Sequence, residues 1–120
     1  MGCLISYATR DGLLRADVWG RSTFRDATWI ARDIAEQAQT LRRVLIDLRR
    51  LADRLGTLGT LSMALGDPGE VSGYRIAIVD VQENDAFYAP HEARARHRGY
   101  VLRSFTSADA AKHWLLDAGG

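Results

Sequence analysis

The order of elements along this chain predicts an α/β fold: a single domain with a mixed five-stranded sheet that opens with a β-hairpin and continues with alternating helices and strands. Three observations predict it. Two β-rich runs, Cys3 to Thr9 and Leu13 to Trp19, flank Arg10-Asp11-Gly12, and Asp-Gly between such runs is a strong short-range hairpin signal. Val44 to Leu48 is apolar except for Asp47, as in a strand covered on both faces and central to its sheet. Between and after these runs, apolar residues recur at helical spacing.

The first helix follows Gly20. Ser22 or Thr23 caps it, and Phe24, Ala27, Ile30 or Ala31, Ile34, Ala38 and Leu41 form its inner stripe, leaving Trp29 and Asp33 off that stripe. A second helix is expected from Thr57 to Leu65, closed by the turn residues Gly66, Asp67, Pro68 and Gly69. Tyr74 to Asp80 is the next strand. Residues 83 to 98 read as a weaker helix that contains Pro90, with Phe87, Ala86, Ala89 and Ala93 offered as its inner side and Gly99 as its end. Tyr100 to Phe105 is the last strand. Ser107 then caps a helix whose Ala110, Ala111, Trp114 and Leu115 face inward. Parallel strands joined by right-handed crossovers need helices on at least one face. The opening hairpin argues against helices on both.

Composition bounds the function. The 120 residues form one domain, 1–120, long enough to remove roughly two thirds of the unfolded surface from water without staples. Cys3 is a lone cysteine, which fits a reducing compartment. A formal charge of +1 from 16 basic and 15 acidic residues gives no long-range field toward nucleic acid. All basic residues but Lys112 are arginine, a bias read as bacterial base composition. No apolar run approaches the ~18 residues of a membrane span, so a cytoplasmic protein without membrane insertion is expected. Met1, Gly2 and Ser6 satisfy a loose acylation pattern, but the strand starting at Cys3 leaves no linker to release the terminus.

Residue chemistry assembles no nucleophile with its base, no metal-ligand cluster and no phosphate loop, so neither an enzyme nor a cofactor is expected. Asp47 lacks the acidic pair and the lysine of a phosphoacceptor site and is expected to accept hydrogen bonds from loop amides. The glycines of LGTLGT lack the Gly-Lys-Ser/Thr end of a phosphate loop. His91, His97 and His113 are too scattered for a metal site. Arg94, Arg96 and Arg98 with His97 form a basic cluster at a helix C-terminus. Trp29 off its stripe, and Tyr88 beside Phe87 where one of the two alone can point inward, suggest an exposed aromatic surface. Trp29, Phe87, Tyr88, Arg94 and Arg98 are therefore the candidate partner or ligand surface.

The opening hairpin closed by Trp19 and Gly20, VLIDLRRL, YRIAIVD followed by AFYA at 86 to 89, and GYVLRSFTSADAAKHWL together resemble the STAS-like, SpoIIAA-like group of small bacterial proteins. That group is similar in fold to lipid-transfer domains of the CRAL-TRIO type. The resemblance spans nearly the whole chain and implies a non-enzymatic regulatory or protein-interaction module with an unidentified protein partner; a homodimer is expected beside it. From the wider fold family it implies the alternative of a binder of a small apolar or lipid-like ligand between the sheet and the helix carrying Phe87. In the regulatory branch, an Asp-Ser pair follows the central strand and its serine is phosphorylated. The pair is missing here, and Thr57, with Thr60 behind it, is the nearest hydroxyl and the candidate phosphoacceptor.

Overall fold

The computed structural model describes residues 3–21, 24–38, 41–52, 73–81 and 85–117. In chain order these are β1 (Cys3–Arg10), β2 (Leu13–Arg21), α1 (Phe24–Gln37), β3 (Arg43–Ala52), β4 (Arg75–Val79), α2 (Asp85–Arg98), β5 (Val101–Phe105) and α3 (Ala108–Asp117). The helix expected from Thr57 to Leu65, with its glycines and both threonines, lies outside the described residues.

The sheet has the strand order β1-β2-β3-β4-β5. β1 pairs antiparallel with β2, and every later neighbour is parallel. The hairpin turn is Asp11-Gly12, with φ of 57° and 78°. Positive φ at both positions is the type I′ geometry whose twist matches the flanking strands. A Cβ at Gly12 would meet nothing within 4 Å, so backbone conformation alone selects glycine there.

Helices cover both faces, which corrects the expectation of one. Right-handed crossovers that always step the same way across a sheet place their helices on one side. Accordingly, Ile30, Ala31, Ile34 and Ala38 of α1 and Tyr88 and Ala95 of α2 share one core with Leu14, Ala16, Val18, Val44, Ile46, Leu48, Ile76 and Ile78. The strands are apolar on their other face as well, and α3, which follows the last strand, turns back to cover it. Ala111 and Leu115 pack there on Leu13, Leu45, Ala77 and Val79. Trp114 is half-buried beside them and Ala110 is exposed, so Ala110 does not belong to the inner side. The Ser107 cap forms as expected, its Oγ accepting from the Ala110 amide at 3.3 Å.

β3 is central and longer than expected, running on to Ala52. Its register against β2 slips between Asp17↔Asp47 and Trp19↔Arg50, one extra residue on the β3 side. The bulge returns Leu51 to the larger core after Leu48 and leaves Arg49 and Arg50 both exposed. Helix α2 runs through Pro90 and ends at Gly99, whose φ is 98°. The Gly99 amide donates to Arg96 O at 3.2 Å and the Tyr100 amide to Ala95 O at 3.1 Å. That is the paired closure of a Schellman cap, with buried Tyr100 against buried Ala95.

Ile46 is fully buried at the middle of the sheet. Ile46→Ala should cost about 2–5 kcal/mol in denaturant titration. Val101→Ala, on a half-exposed margin position, should stay within about 0.5 kcal/mol.

Candidate interaction surface

On α1, the buried stripe Ile30, Ala31, Ile34, Ala35 and Ala38 turns Trp29 outward, where it is 40% exposed. Arg32 and Glu36 are exposed on the same helix. Asp33 is anchored: the Tyr7 hydroxyl of β1 donates to its Oδ2 at 2.5 Å. Burial first, then the hydrogen bond to Asp33, pushes the Tyr7 phenol well above its ordinary pKa, so it remains a neutral donor. Trp29 therefore stands on a helix fixed to the sheet at its next turn, so the backbone that carries it has little ordering left to lose on contact.

Helix α2 corrects the expected surface. Tyr88 is fully buried and its hydroxyl donates to Asp80, the buried acid just past β4. Tyr88 thus points inward, its hydroxyl finding a carboxylate inside while its ring fills the core. The side chains of Ala86 and Phe87 lie outside the described ones. With Tyr88 and Ala95 setting the inner face, Ala89 and Ala93 are exposed rather than packed. Glu92 ties the helix to β5, accepting from the Ser104 amide at 3.1 Å and its hydroxyl at 3.2 Å. Arg94 is exposed and Arg98, one turn on, is half-buried. His91 is pushed below its ordinary pKa by burial and then by Arg94. Among the described residues no group of three or more His, Cys, Asp or Glu is placed to hold a metal ion.

The larger charged constellation is one that sequence reasoning missed. On the face covered by α3, the helix reaches Leu13, Leu45, Ala77 and Val79, while Arg15, Asp17 and Trp19 of β2 and Asp47 and Arg49 of β3 continue the same face by strand alternation. Arg15 Nε lies 3.1 Å from Asp17 and its Nη2 3.2 Å from Asp47. From the other side, Arg49 Nη2 is 2.6 Å from Asp47, and the Arg49 amide donates to the same carboxylate at 3.1 Å. Arg50 stacks over Trp19 at 5.2 Å. Asp47 therefore accepts from two guanidiniums and an amide of its own strand, not from loop amides, because β3 continues past it. The signal was present in the alternation of Arg15 and Asp17 with Leu14, Ala16 and Val18. Pairing with Asp47 across strands depended on register.

Burial pushes the Asp47 pKa up, but hydrogen bonds from the Arg49 side chain and amide and the charges of Arg49 and Arg15 outweigh it and hold it below the ordinary 3.8. Such a carboxylate stays ionised and saturated with donors, so it serves to fix two half-exposed arginines rather than to accept protons. Beneath the hairpin, Ala8, Leu13 and Leu45 floor a cavity of about 230 Å³ rimmed by Arg10, Arg15 and Lys112. It lies on the α3 side, away from the helix carrying Phe87. Thr57 lies outside the described residues.

No family model matches the chain, and no curated protein sequence matches it. Solved structures do. An anti-sigma factor antagonist from Mycobacterium paratuberculosis superposes with a TM-score of 0.65 at 15% identity, over 95% of this chain and 94% of that one. The chain has a SpoIIAA-like, STAS-like fold. An uncharacterised protein described as having a SpoIIAA-like fold, from Shewanella loihica PV-4, gives a TM-score of 0.53 at 20% identity over the same shares. Within this SpoIIAA-like fold, no helix among the described residues is long and apolar enough to cross a membrane.

The arginine-held state of Asp47 has a pH signature. Its folded pKa lies below the unfolded value, so its contribution is complete above about pH 4 and drains as pH falls through the folded pKa. Asp47→Asn should cost about 1–3 kcal/mol at neutral pH and flatten the acid limb of a stability-against-pH curve relative to the parent chain.

Proposed function

We propose that this chain is a non-enzymatic regulatory module that acts by binding another protein, with the outer side of α1 around Trp29 as its principal contact. The observation that carries this reading is an aromatic left 40% exposed on a helix whose described inner residues, Ile30 to Ala38, are packed, in a fold shared over 95% of the chain with an anti-sigma factor antagonist. Exposed tryptophan on a rigid support is a residue type in which binding energy concentrates. Arg32 and Glu36 on the same helix supply charges of both signs for a polar rim.

The electrostatics support a docking role over a catalytic one. Asp47 is held ionised between two arginines, Asp33 is committed to Tyr7 and Asp80 to Tyr88. Each of these acids is thereby tied into the scaffold. In the same reading Thr57 is the candidate phosphoacceptor that would modulate partner affinity: the Asp-Ser pair of the regulatory branch is missing after β3, and Thr57 is the hydroxyl nearest to that location in the sequence.

A photo-crosslinking residue at position 29 should capture one reproducible partner from native cells, while the same probe at exposed Ala93 captures none. Trp29→Ala should weaken binding to the captured partner by at least tenfold, about 1.4 kcal/mol, with an unchanged circular-dichroism spectrum. Equal capture at both positions, or affinity unchanged by the substitution, would sink the assignment of this surface.

A further inference from the structure

We propose that β1 pairs with β1 of a second copy of this chain across a two-fold axis, making one sheet continuous through two molecules. The proposal stands on the margin of the sheet and is independent of the role assigned to Trp29.

Among the described residues β1 is the first strand in the sheet order, with β2 on one flank only. An edge strand presents a row of unpaired amides and carbonyls, and natural edges are blunted by charge, proline, bulges or shortness. Over residues 3–9 this one has none of those devices, Arg10 standing at its turn end. Residues 3–9 contain no charged side chain and no proline. The strand is eight residues long, and its register with β2 is unbroken from Cys3↔Gly20 to Arg10↔Leu13.

The turn decides which backbone groups face outward. Arg10 and Leu13 flank the two-residue turn and form its reciprocally hydrogen-bonded pair. Alternation then directs the amides and carbonyls of Ala8, Ser6 and Leu4 at β2 and those of Thr9, Tyr7, Ile5 and Cys3 away from it. A two-fold axis normal to the sheet sets each residue opposite one of the same facing. The register that pairs all the outward groups is centred on Ser6. It joins Ile5 to the partner's Tyr7 and Cys3 to the partner's Thr9, and it sets Ser6 opposite the partner's Ser6.

Side chains agree with that register on both faces. Leu4, 62% exposed, falls opposite the partner's Ala8, itself exposed. On the other face, Ile5 and Tyr7 already pack against the larger core, so setting Ile5 beside the partner's Tyr7 carries that core across the seam. Arg10 lies beyond the paired stretch, one copy at each end, so like charges never meet. Centring on Tyr7 instead would place Leu4 against the partner's Arg10 and leave Cys3 unpaired. The interface is isologous and small, so the dimer should dissociate on dilution.

Cysteine placement reads the register directly, in a Cys3→Ser background. Ser6 and its mate form a non-hydrogen-bonded pair with Cα atoms about 4.5 Å apart, within the range of a disulfide, roughly 4.4–6.8 Å. Ala8→Cys shares its face and exposure, but the two copies of position 8 would be about 14 Å apart. Ser6→Cys should therefore oxidise to a covalent dimer and Ala8→Cys should not. Ser6→Lys, which opposes two ammonium groups, should sediment as a monomer with native circular dichroism while the parent chain shows a monomer–dimer equilibrium. A parent chain that is monomeric at every concentration overturns the proposal and leaves the edge to a strand of another protein. Equal crosslinking at positions 6 and 8, or a dimer that persists in Ser6→Lys, also overturns it.

Discussion

A central strand that is apolar on both faces dictates the rest of this molecule. Val44, Ile46 and Leu48 point to one side of β3 and Leu45 to the other, all fully buried. Each such side chain contributes about 1.5–3 kcal/mol when removed from water, so neither face can be left wet. Crossover helices supply cover on one face. The sole described element free to cover the other is the helix after the last strand, so the core divides into a large compartment under α1 and α2 and a smaller one under α3.

That division explains the distribution of charge. A ten-residue helix cannot span a five-stranded sheet, so α3 covers the middle of its face, with the Trp114 ring tilted at 47° to Phe105, centroids 5.6 Å apart, and Arg75 4.2 Å above the Trp114 ring. Toward β1 and β2 the same face turns to Arg15, Asp17, Asp47 and Arg49. Desolvation of Asp47 is offset there because donors on two strands saturate its oxygens, the condition under which a buried acid is tolerated. Lys112 of α3 reaches Asp11 of the hairpin turn at 3.3 Å, a bridge between the covered and uncovered regions that, being exposed, contributes little to stability.

Anchoring by tyrosine recurs in the larger compartment. Tyr7 holds α1 through Asp33, Tyr88 joins α2 to the end of β4 through Asp80, and the Tyr74 hydroxyl donates to Ala38 O at 3.3 Å. Each ring packs on the apolar core while its hydroxyl donates to an acceptor on a neighbouring element. The Tyr7 and Tyr74 contacts seat α1, the element that displays Trp29.

The hairpin, the central strand, the helix of residues 24–37 and the stop at Gly99 were legible in the sequence, because each depends on local rules: positive φ at Asp11-Gly12, apolar continuity, helical period and glycine at a C-cap. Trp29 was legible as exposed for the same reason, lying off a clear stripe. The inner side of residues 85–98 was not, since alanines on several faces leave that helix with no strong apolar stripe, and Tyr88 was settled by the distant acid Asp80. The partners of Asp47 were likewise decided by strand register and by a bulge that no local pattern announces. Among the described residues, sequence alone determined which segments are strands and helices and which side of most of them is greasy. Tertiary structure decided which faces are covered and which charges meet, because those outcomes depend on contacts between residues far apart in the chain, where local periodicity carries no information.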